Sequence, residues 1–301
     1  MTHQSVLKKE AIDGLEIRQG DIFLDCTANG GGHIEEVCQR LGKSIKVIGL
    51  DLDQDALDRA KLRFKDKDFD ITLQQSNFRN LDEVLDTLEI SKVTKVLFDL
   101  GLSSNQLEES GRGFTFQKDE PLLMTFKKNP EKEDLTAGEI VNHFEEKVIA
   151  DLLFTYGEER YARKIAKAII EARKKRSIQT TFELIEIIKH AVPSSYQHGR
   201  THFATKTFQA FRIAVNDEMT ALPEALNKAF ERLEDNGRIA VISFHSSEDR
   251  IVKRIFRSIK DRGDGTLFTK KPITPSEEEI RENPRSRSSN LRILIKNLSQ
   301  K

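Results

Sequence analysis

The sequence predicts an α/β fold built on a doubly wound parallel sheet. Three observations support this prediction: short apolar runs alternate with helical patterns through the first hundred residues, a glycine-rich turn follows the first run, and acidic residues end three of the four runs. In such a sheet the ligand binds at the carboxyl ends of the strands. We therefore expect the functional site at these ends.

The first strand is joined to a helix by the glycine-rich turn. An apolar run from Ile22 stops at Asp25, residues 26–33 are small, polar or glycine, and apolar residues at helical spacing resume at Ile34. Glycine lets a ligand approach the backbone, and a helix N-terminus offers unpaired N–H groups. The turn lacks the Gly-x-Gly-x-x-Gly of a dinucleotide site. On this segment alone, a ligand-binding turn and a purely structural turn are both open interpretations.

The second strand favours the ligand-binding interpretation. Residues 46–50 run directly into Asp51. This position is about 20 residues beyond the glycines, where an acidic side chain can hold both hydroxyls of a ribose. Asp53 and Asp55 can instead cap the helix that follows. Asp51 is therefore the candidate for binding the ribose hydroxyls.

Two further strands, at residues 71–75 and 95–98, complete the predicted set of four parallel strands. The third leads into Ser76-Asn77-Phe78 and the fourth into Asp99. A loop rich in glycine, serine and asparagine follows Asp99. This composition is typical of a binding loop, although a flexible connector can share it.

The middle third of the chain has a helical pattern. Thr136-x-x-Glu139 and Thr180-x-x-Glu183 are capping boxes, each followed by apolar residues at helical spacing. Residues 160–176 combine an apolar face with a strongly basic face that few acidic residues compensate. A solvated helix face and a phosphate-binding face are both open interpretations. We expect this helical segment to act as a substrate lid over the ligand end of the sheet.

Sheet patterns return near the C-terminus. Residues 233–237 predict a helix end with its glycine at or just past the C-cap, and residues 238–244 predict a strand. Ser246 or Ser247 is expected to cap the next helix, and residues 291–295 predict a final strand. The domain prediction is a discontinuous sheet domain, residues 1–102 and 211–301, with an inserted, mostly helical domain at 103–210.

Composition limits the class of protein. The 301 residues carry 49 basic and 49 acidic side chains, so the net charge argues against an indiscriminate polyanion binder but not against a local basic face. No apolar run approaches the ~18 residues that span a bilayer, and residues 1–5 resemble neither a signal nor a transit peptide. Cys26 and Cys38 match no metal spacing, and the histidines are scattered. We expect a cytoplasmic protein with reduced thiols and no structural metal.

Seven segments, in order along the chain, carry a family resemblance. They are Asp25-x-Thr27 with Gly31-Gly32-His33; Asp99-Leu100-Gly101-Leu102-Ser103-Ser104 with Gln106-Leu107; Arg112-Gly113-Phe114-Thr115-Phe116; Tyr156-Gly157-Glu158-Glu159-Arg160; Thr207-Phe208-Gln209-Ala210-Phe211-Arg212-Ile213 with Val215-Asn216; Ser243-Phe244-His245-Ser246 with Glu248-Asp249-Arg250; and Asn283-Pro284-Arg285 with Arg287-Ser288. Together they resemble the bacterial 16S ribosomal RNA (cytosine-N4) methyltransferase family, RsmH/MraW. Each segment alone is a weak signal, whereas the ordered set is specific.

The resemblance implies a Rossmann-like S-adenosylmethionine-dependent methyltransferase sheet with an inserted helical substrate domain. Enzymes of this family methylate the exocyclic N4 amine of a decoding-centre cytidine in 16S rRNA, so the small ribosomal subunit is the expected partner. The family's cofactor contacts carry over to Gly31, Gly32, His33, Asp51, Phe78, Asp99 and Gln106. Asp51 is expected to hold the ribose and Phe78 to lie against the adenine. Asp99 and Gln106 are expected at the reactive end of the cofactor.

A second set of residues is expected to hold the target base, which must be splayed from its stack. We hypothesise that this pocket is lined by Ser103, Ser104, Arg112, Asn216 and His245. The catalytic candidates are Asp99 and His245. Asp99, or a neighbouring main-chain carbonyl, would orient the amine. His245 is better suited as a hydrogen-bond partner than as an obligatory base, because the amine can lose its proton after attack, and positioning is expected to supply most of the rate.

The chain departs from the family pattern in three places. Asn29 replaces a glycine, and asparagine is the next-best residue for positive φ. Residues 119–125 lose an acid and a base from the family's Asp-Gly-Pro-Leu-Asp-Met-Arg, and residues 202–206 replace a pattern with Pro and Arg. These changes leave two alternatives open: a cofactor-binding ribosome-assembly or RNA-binding factor with a degenerate substrate loop, and methylation of another nucleic-acid amine.

Two other enzyme classes fit the sequence less well. A DNA amino-methyltransferase has Asp/Asn-Pro-Pro-aromatic at the end of the fourth strand, where this chain has Asp99-Leu100-Gly101-Leu102. The missing dinucleotide fingerprint argues against a nicotinamide oxidoreductase.

Overall fold

The structure is a computed structural model that describes residues 5–199 and 201–298. The chain divides into two compact units, a first unit of Met1–Gly101 with Met219–Lys301 and a second unit of Leu102–Glu218. The second unit ends at Glu218, whereas the expected insertion ended at residue 210, which lies inside a helix. The expectation that residues 1–5 form neither a signal nor a transit peptide falls mostly on residues 1–4, which lie outside the described residues.

The secondary-structure elements are as follows. The strands are β1 Ile22–Asp25, β2 Lys46–Asp51, β3 Asp70–Gln75, β4 Val93–Asp99, β5 Leu233–Ser243, β6 Gly265–Leu267 and β7 Asn290–Lys296. The helices are α1 Lys8–Leu15, α2 Gly32–Leu41, α3 Gln54–Phe64, α4 Leu81–Thr87, α5 Ser104–Glu108, α6 Ala137–His143, α7 Glu146–Gly157, α8 Ala162–Arg173, α9 Thr181–Ala191, α10 Ser194–Gln197, α11 Thr205–Val215, α12 Glu218–Glu231, α13 Ser246–Asp261 and α14 Glu277–Glu282. None of the helices in the described ranges has the length and apolar character that a bilayer crossing requires.

The strands of the described chain form one seven-stranded sheet in the order β3-β2-β1-β4-β5-β7-β6. Strands β1 to β5 pair in parallel, and β7 pairs antiparallel with both β5 and β6. The prediction of an α/β fold on a doubly wound sheet is therefore confirmed. Strand β6 was not predicted, since three residues are too short to show a period of two.

Alternate residues of the central strands enter apolar cores on opposite faces of this sheet. In β4, Val96 and Phe98 belong to one buried cluster, whereas Leu97 belongs to the other. In β1, Leu24 and Phe23 divide between the same two clusters. Because both faces are covered, the strands appear in the sequence as continuous apolar runs.

The predicted helix end at residues 233–237 is wrong, because these residues belong to β5. Leu233 pairs with Val93, and Arg238 pairs with Lys95, so the residues between Leu233 and Arg238 bulge out of the ladder. Asn236 supplies a positive φ of 61° inside this bulge. The polar and glycine residues of the segment thus form a bulge in the strand. The prediction failed because a bulge and a helix end use the same kinds of residue.

The second unit is a helical body with its own apolar core. Helix α7 packs against α8 and α11, and α8 packs against α9. The predicted caps Thr136 and Thr180 are confirmed, since their side chains accept the N–H groups of Glu139 and Glu183. A Cβ added at Gly157 would lie 2.5 Å from the carbonyl oxygen of Lys206, so α7 and α11 approach as closely as only glycine allows.

Candidate functional site

The order of the strands indicates where a ligand binds. From β1 the chain proceeds to β2 and β3 on one side, and β4 and β5 lie on the other side. The sheet therefore reverses its order between β1 and β4, and open α/β sheets bind ligands in the crevice outside the carboxyl ends at such a point. Asp25 ends β1 and Asp99 ends β4.

The turn after β1 is held by the neighbouring strand. The N–H of Ala28 donates to the carbonyl of Leu50 over 2.7 Å, and the N–H of Asn29 donates to Asp51 Oδ2 over 2.8 Å. Asn29 has a φ of 47°, so asparagine takes the left-handed conformation as expected. Gly31 has a φ of 79°, and a Cβ there would lie 2.6 Å from the ring of Phe64. The chain geometry alone therefore requires glycine at Gly31.

Thr27 connects the ends of the two central strands. Its hydroxyl oxygen accepts the N–H of Asp99 over 2.6 Å, and its own N–H donates to Asp25 Oδ1 over 3.1 Å. Thr27 was not among the predicted site residues, because the link joins positions far apart in sequence. The sequence signalled it by its place in the turn between strand and helix and by its presence in the family segment Asp25-x-Thr27.

Three side chains at this edge form a group that we call the acid–imidazole cluster: Asp25 and His33, which are buried, and Asp99, which is partly buried. Asp25 is 1% exposed and His33 is 3% exposed. His33, in the first turn of α2, places Nε2 at 3.3 Å from Asp99 Oδ2. Asp25 was noted at a strand end but was not among the predicted contacts; its burial and its electrostatic interaction with His33 and Asp99 make it part of this site.

Each member of the cluster also has a buried polar atom without a hydrogen-bond partner among the described residues. These atoms are Asp25 Oδ2, His33 Nδ1 and Asp99 Oδ1. An unsatisfied buried polar atom costs about 1–3 kcal/mol, so three of them in one cluster need an explanation. Two are carboxylate oxygens, which accept hydrogen bonds from a cationic donor especially well. The cluster is therefore suited to a ligand that carries a positive charge.

Burial controls the charge of this cluster. It raises the pKa of Asp25 to about 7, an effect reinforced by Asp99 and Asp51 and opposed by His33 and the N–H of Thr27. Burial lowers the pKa of His33, but the hydrogen bond and charge of Asp99 outweigh it, so the pKa ends above its ordinary value. Asp25 thus changes protonation close to neutral pH, where a cationic ligand would favour its deprotonated form.

Asp51 ends β2, and the backbone fixes its carboxylate. Oδ2 accepts the N–H of Asn29, and Oδ1 accepts the N–H of Asp53 over 2.8 Å. Burial raises the pKa of Asp51 to about 6, although these two N–H groups act in the opposite direction. Each carboxylate oxygen can accept a further hydrogen bond, so the two N–H groups leave room for ribose hydroxyls. The contact with the ribose remains a prediction.

Phe78 begins a 3-10 turn, Phe78–Asn80, directly after β3. Its ring lies 5.8 Å from the ring of Phe98 in an edge-to-face arrangement. The side chain of Asn77 accepts the N–H of Arg79 and fixes the turn. Phe78 is partly exposed at the ligand end of the sheet, and its contact with adenine remains a prediction.

In the second unit, Ser103 and Gln106 form a reciprocal capping box at the start of α5. The N–H of Gln106 donates to Ser103 Oγ over 3.1 Å, and the N–H of Ser103 donates to Gln106 Oε1 over 3.0 Å. Ser104 is the first residue of the helix. The structure therefore gives Ser103 and Gln106 a role in shaping the loop, and their ligand contacts remain predictions.

Arg112 and Asn216 also bind main-chain groups of the second unit. Arg112 Nη1 donates to the carbonyl of Phe126 over 2.6 Å. Asn216 Oδ1 accepts the N–H of Phe126, and its Nδ2 donates to the carbonyls of Met124 and Arg212, each over 2.8 Å. Both residues were predicted for the target pocket. Asn216 fastens the segment 124–126 to the end of α11, and Arg112 fastens it to the loop after α5.

His245 is the N-cap of α13, so the prediction that Ser246 or Ser247 caps this helix is wrong. His245 Nδ1 accepts the N–H of Glu248 over 3.4 Å, and Glu248 Oε2 accepts the N–H of Phe244 over 2.8 Å. Since Nδ1 acts as an acceptor, the neutral ring carries its proton on Nε2, which lies 3.0 Å from Glu248 Oε1. The ring nitrogen of His245 thus takes the place that a serine or threonine hydroxyl has in most capping boxes, and Glu248 completes the reciprocal pair.

The chain matches known proteins along nearly its whole length. The model of the MraW methylase family matches residues 1–297. Ribosomal RNA small subunit methyltransferase H of Sulfurihydrogenibium sp. (strain YO3AOP1) is 46% identical over 291 residues, which cover 97% of this chain and 98% of that protein. The protein of the same name from Brevibacillus brevis is 42% identical over 309 residues, covering 98% of both chains.

Proposed function

The chain belongs to the MraW methylase family, and from this membership we propose that it is an S-adenosylmethionine-dependent methyltransferase of small-subunit ribosomal RNA. Its target is the exocyclic N4 amine of a decoding-centre cytidine in 16S rRNA. The observation that carries the proposal is the acid–imidazole cluster at the switch point of the sheet. It presents buried carboxylate oxygens where this fold binds its ligand.

The residues of the first unit suit the parts of S-adenosylmethionine, which supplies the transferable methyl group when bound. The unpartnered oxygens of Asp25 and Asp99 are acceptors for the ammonium of its methionine portion. Asp51 holds the ribose hydroxyls with a carboxylate already oriented by two N–H groups. Phe78 lies against the adenine. The remaining proposed contacts are Gly31, Gly32, His33 and Gln106.

Methylation of the cytidine asks for positioning more than for acid–base chemistry. The N4 lone pair forms the new bond to the methyl carbon, the sulfur keeps the electron pair of the broken bond, and a proton leaves N4 for water. An acceptor that orients the amine in line with the methyl group is the main requirement. Asp99, or a neighbouring carbonyl, is proposed for that role.

His245 is proposed as a hydrogen-bond partner in the pocket rather than as a base. Its Nδ1 is occupied by the N–H of Glu248, and its Nε2 faces the Glu248 carboxylate. The lone pair of Nδ1 is therefore already engaged, and Nε2, which carries the proton of the neutral ring, makes no hydrogen bond to the described residues. Such a ring can donate a hydrogen bond to a substrate but has no free lone pair with which to take its proton. Ser103, Ser104, Arg112 and Asn216 complete the proposed pocket, with the last two acting through the main chain that they fasten.

One observation argues against a degenerate substrate loop. Glu120, which stands where the family has glycine, is buried, and its Oε2 accepts the N–H of Gly113 over 2.9 Å. Its own N–H donates to Thr181 Oγ1 over 3.1 Å. The changed residue is built into the second unit, as expected of a loop that has been remodelled rather than lost.

The test uses small ribosomal subunits from cells that lack this protein. The subunits are incubated with the purified chain and labelled S-adenosylmethionine, and the rRNA is analysed by nucleoside mass spectrometry. We expect label as N4-methylcytidine at one decoding-centre position. Tight cofactor binding without label in RNA would favour the assembly-factor alternative, and label in another nucleoside would reassign the target.

A further inference from the structure

The second unit carries a row of cations that the proposed cofactor and target contacts leave unexplained. Arg163, Lys164 and Lys167 lie in the first two turns of α8, with Lys167 four residues after Arg163 and three after Lys164, so they lie along one side of the helix. Arg160 precedes the helix by two residues, in the turn that leads into it. All four are exposed. In the described part of the chain no ion pair is found for Arg163, Lys164 or Lys167.

The other end of the same helix differs. There, Lys174 lies 3.0 Å from Glu171 and Arg176 lies 3.0 Å from Glu183. These two cations are compensated by acids of the same surface. Among the described residues, Lys175 is the one exposed cation at this end for which no ion pair is found. Cations without an ion pair are thus more concentrated in the first two turns of α8, which suits a polyanionic partner.

Arg160 is also held in a fixed position, which a merely solvated arginine is not. Its guanidinium carbon lies 4.8 Å from the ring centre of Tyr161 and 4.7 Å from that of Tyr196. The two rings are 5.0 Å apart at an angle of 68°. Stacking on aromatic faces occupies the plane of a guanidinium and leaves its N–H edge as the group that can bind phosphate.

A buried acid positions the two tyrosines. Glu159 is 0% exposed, its Oε2 accepts the O–H of Tyr196 over 2.7 Å, and its Oε1 accepts the N–H of Tyr161 over 2.8 Å. Burial and this carboxylate raise the pKa of Tyr196 above its ordinary value. Burying a carboxylate is costly unless it is well satisfied. The arrangement therefore fixes the rings on which Arg160 lies, and through them the arginine.

We propose that the α8 basic stripe, defined as Arg160, Arg163, Lys164 and Lys167 with Tyr161 and Tyr196, binds the phosphate backbone of the ribosomal RNA. The choice of RNA rests on the proposed function; the choice of a polyanion rests on the stripe itself. Because the whole chain has zero net charge, RNA affinity has to come from a local basic surface of this kind. The stacked arginine supplies a rigid bidentate contact, and the three following cations extend it along the backbone.

The test compares two triple variants with the same change in charge. The stripe variant is Arg163→Gln, Lys164→Gln and Lys167→Gln; the control is Lys174→Gln, Lys175→Gln and Arg176→Gln, at the other end of the helix. Binding to purified 16S rRNA and to undermethylated small subunits is measured at several salt concentrations. Since each lost phosphate contact lowers the slope of log K against log[salt] by about 0.7–0.9, the loss of three contacts should lower the slope by about 2–3 and the affinity by tenfold or more.

The control should keep the wild-type slope, and both variants should keep the wild-type affinity for S-adenosylmethionine. Equal slopes for the stripe variant and the wild type would overturn the proposal. A stripe effect on subunits but none on naked rRNA would overturn it in favour of a ribosomal-protein contact. A stripe-dependent slope on RNA without methylation would support the stripe while contradicting the proposed activity.

Arg160→Lys separates the stacked fork from the charge. This variant keeps the cation but loses the planar bidentate edge, so RNA affinity should fall several-fold with an unchanged melting temperature. Glu159→Gln serves as the positioning test, because it keeps the shape of the acid. Glu159→Gln alone should lower the RNA affinity less than Arg160→Lys does. Added to Arg160→Lys, it should lower the affinity no further. Unchanged affinity in Arg160→Lys would remove the stacked arginine from the proposal.

Discussion

The ligand edge of the first unit and the residues of the second unit that were predicted for the target pocket use their polar groups in opposite ways. In the acid–imidazole cluster, Asp25, His33 and Asp99 keep buried atoms without partners among the described residues. In the second unit, Asn216 has its amide engaged by three main-chain groups. Unsatisfied buried atoms indicate a ligand, whereas engaged ones indicate a scaffold. Substitutions in the cluster should therefore lower cofactor affinity, whereas substitutions at engaged residues such as Asn216 should lower the stability of the fold.

The physical reason is the regularity of the backbone. Parallel strands satisfy their own N–H and C=O groups, so side chains at strand ends such as Asp99 are available for a ligand. The segment 124–126 has no ladder to satisfy it, and Met124 even takes a φ of 54°. Side chains such as Arg112 and Asn216 therefore have to supply the missing partners.

The largest expected effect that separates the two regions is on cofactor affinity. Asp99→Asn removes the charge from an acceptor proposed for the ammonium, and we expect binding of S-adenosylmethionine to weaken on the order of 10²-fold. Calorimetric titration measures this change. Asp68→Asn, an exposed acid of the same unit, is the matched control and should leave the affinity unchanged. A variant Asp99→Asn that binds as tightly as the wild type would place the ammonium elsewhere.

The next effect is on stability in the second unit. Asn216→Ala loses three main-chain hydrogen bonds and leaves their partners unsatisfied, so the free energy of unfolding should fall by about 2–3 kcal/mol. Thermal or denaturant unfolding gives the value, and cofactor affinity should stay at the wild-type level. If stability were unchanged while methylation was lost, Asn216 would act on the target directly, and the contrast between the regions would fail.

The pH dependence of binding tests the first region alone. The pKa of Asp25 is about 7 and that of Asp51 about 6, so lowering the pH protonates acceptors and His33 alike. Affinity for the cationic cofactor should therefore level off about one pH unit above the pKa of Asp25 and weaken by up to about tenfold per pH unit below that pKa. Titrations from pH 5.5 to 8 check this, with Asp25→Asn expected to show a shallower profile.

The stability of the unliganded protein should change with pH in the opposite direction. Because folding raises the pKa of Asp25 from 3.8 to about 7, the folded state binds the proton more tightly than the unfolded state. This contribution is fully present below the unfolded pKa and is lost as the pH rises through 7. The prediction on cofactor binding has its own contradicting outcome. An affinity that stays constant from pH 5.5 to 8 would show that the cluster does not face the cationic group.

The smallest effect concerns His245, which combines both kinds of role. His245→Ala removes the N-cap of α13 and should cost about 1 kcal/mol of stability. His245→Asn restores a capping side chain and should recover most of that loss without recovering turnover. Unfolding and single-turnover methylation of both variants decide the matter. Wild-type turnover in His245→Ala would remove His245 from the site.

Local patterns predicted the fold well, and they failed where structure depends on distant residues. The alternation of strands, the caps Thr136 and Thr180, and the turn with Asn29 all follow from short-range chemistry. The link from Thr27 to Asp99 depends on β1 and β4 being neighbours, which no local pattern encodes. The cap at His245 was missed for a different, local reason: histidine is not among the usual N-cap residues, so the sequence pointed to Ser246 or Ser247.

The central claim, that the acid–imidazole cluster receives the ammonium of the cofactor, is tested most directly by crossing one variant with one ligand change. Affinities of wild type and Asp99→Asn are measured for S-adenosylhomocysteine and for its analogue without the α-amino group. We expect the wild type to lose on the order of 10²-fold with the analogue and Asp99→Asn to lose almost nothing further. Equal losses in both proteins would contradict the claim.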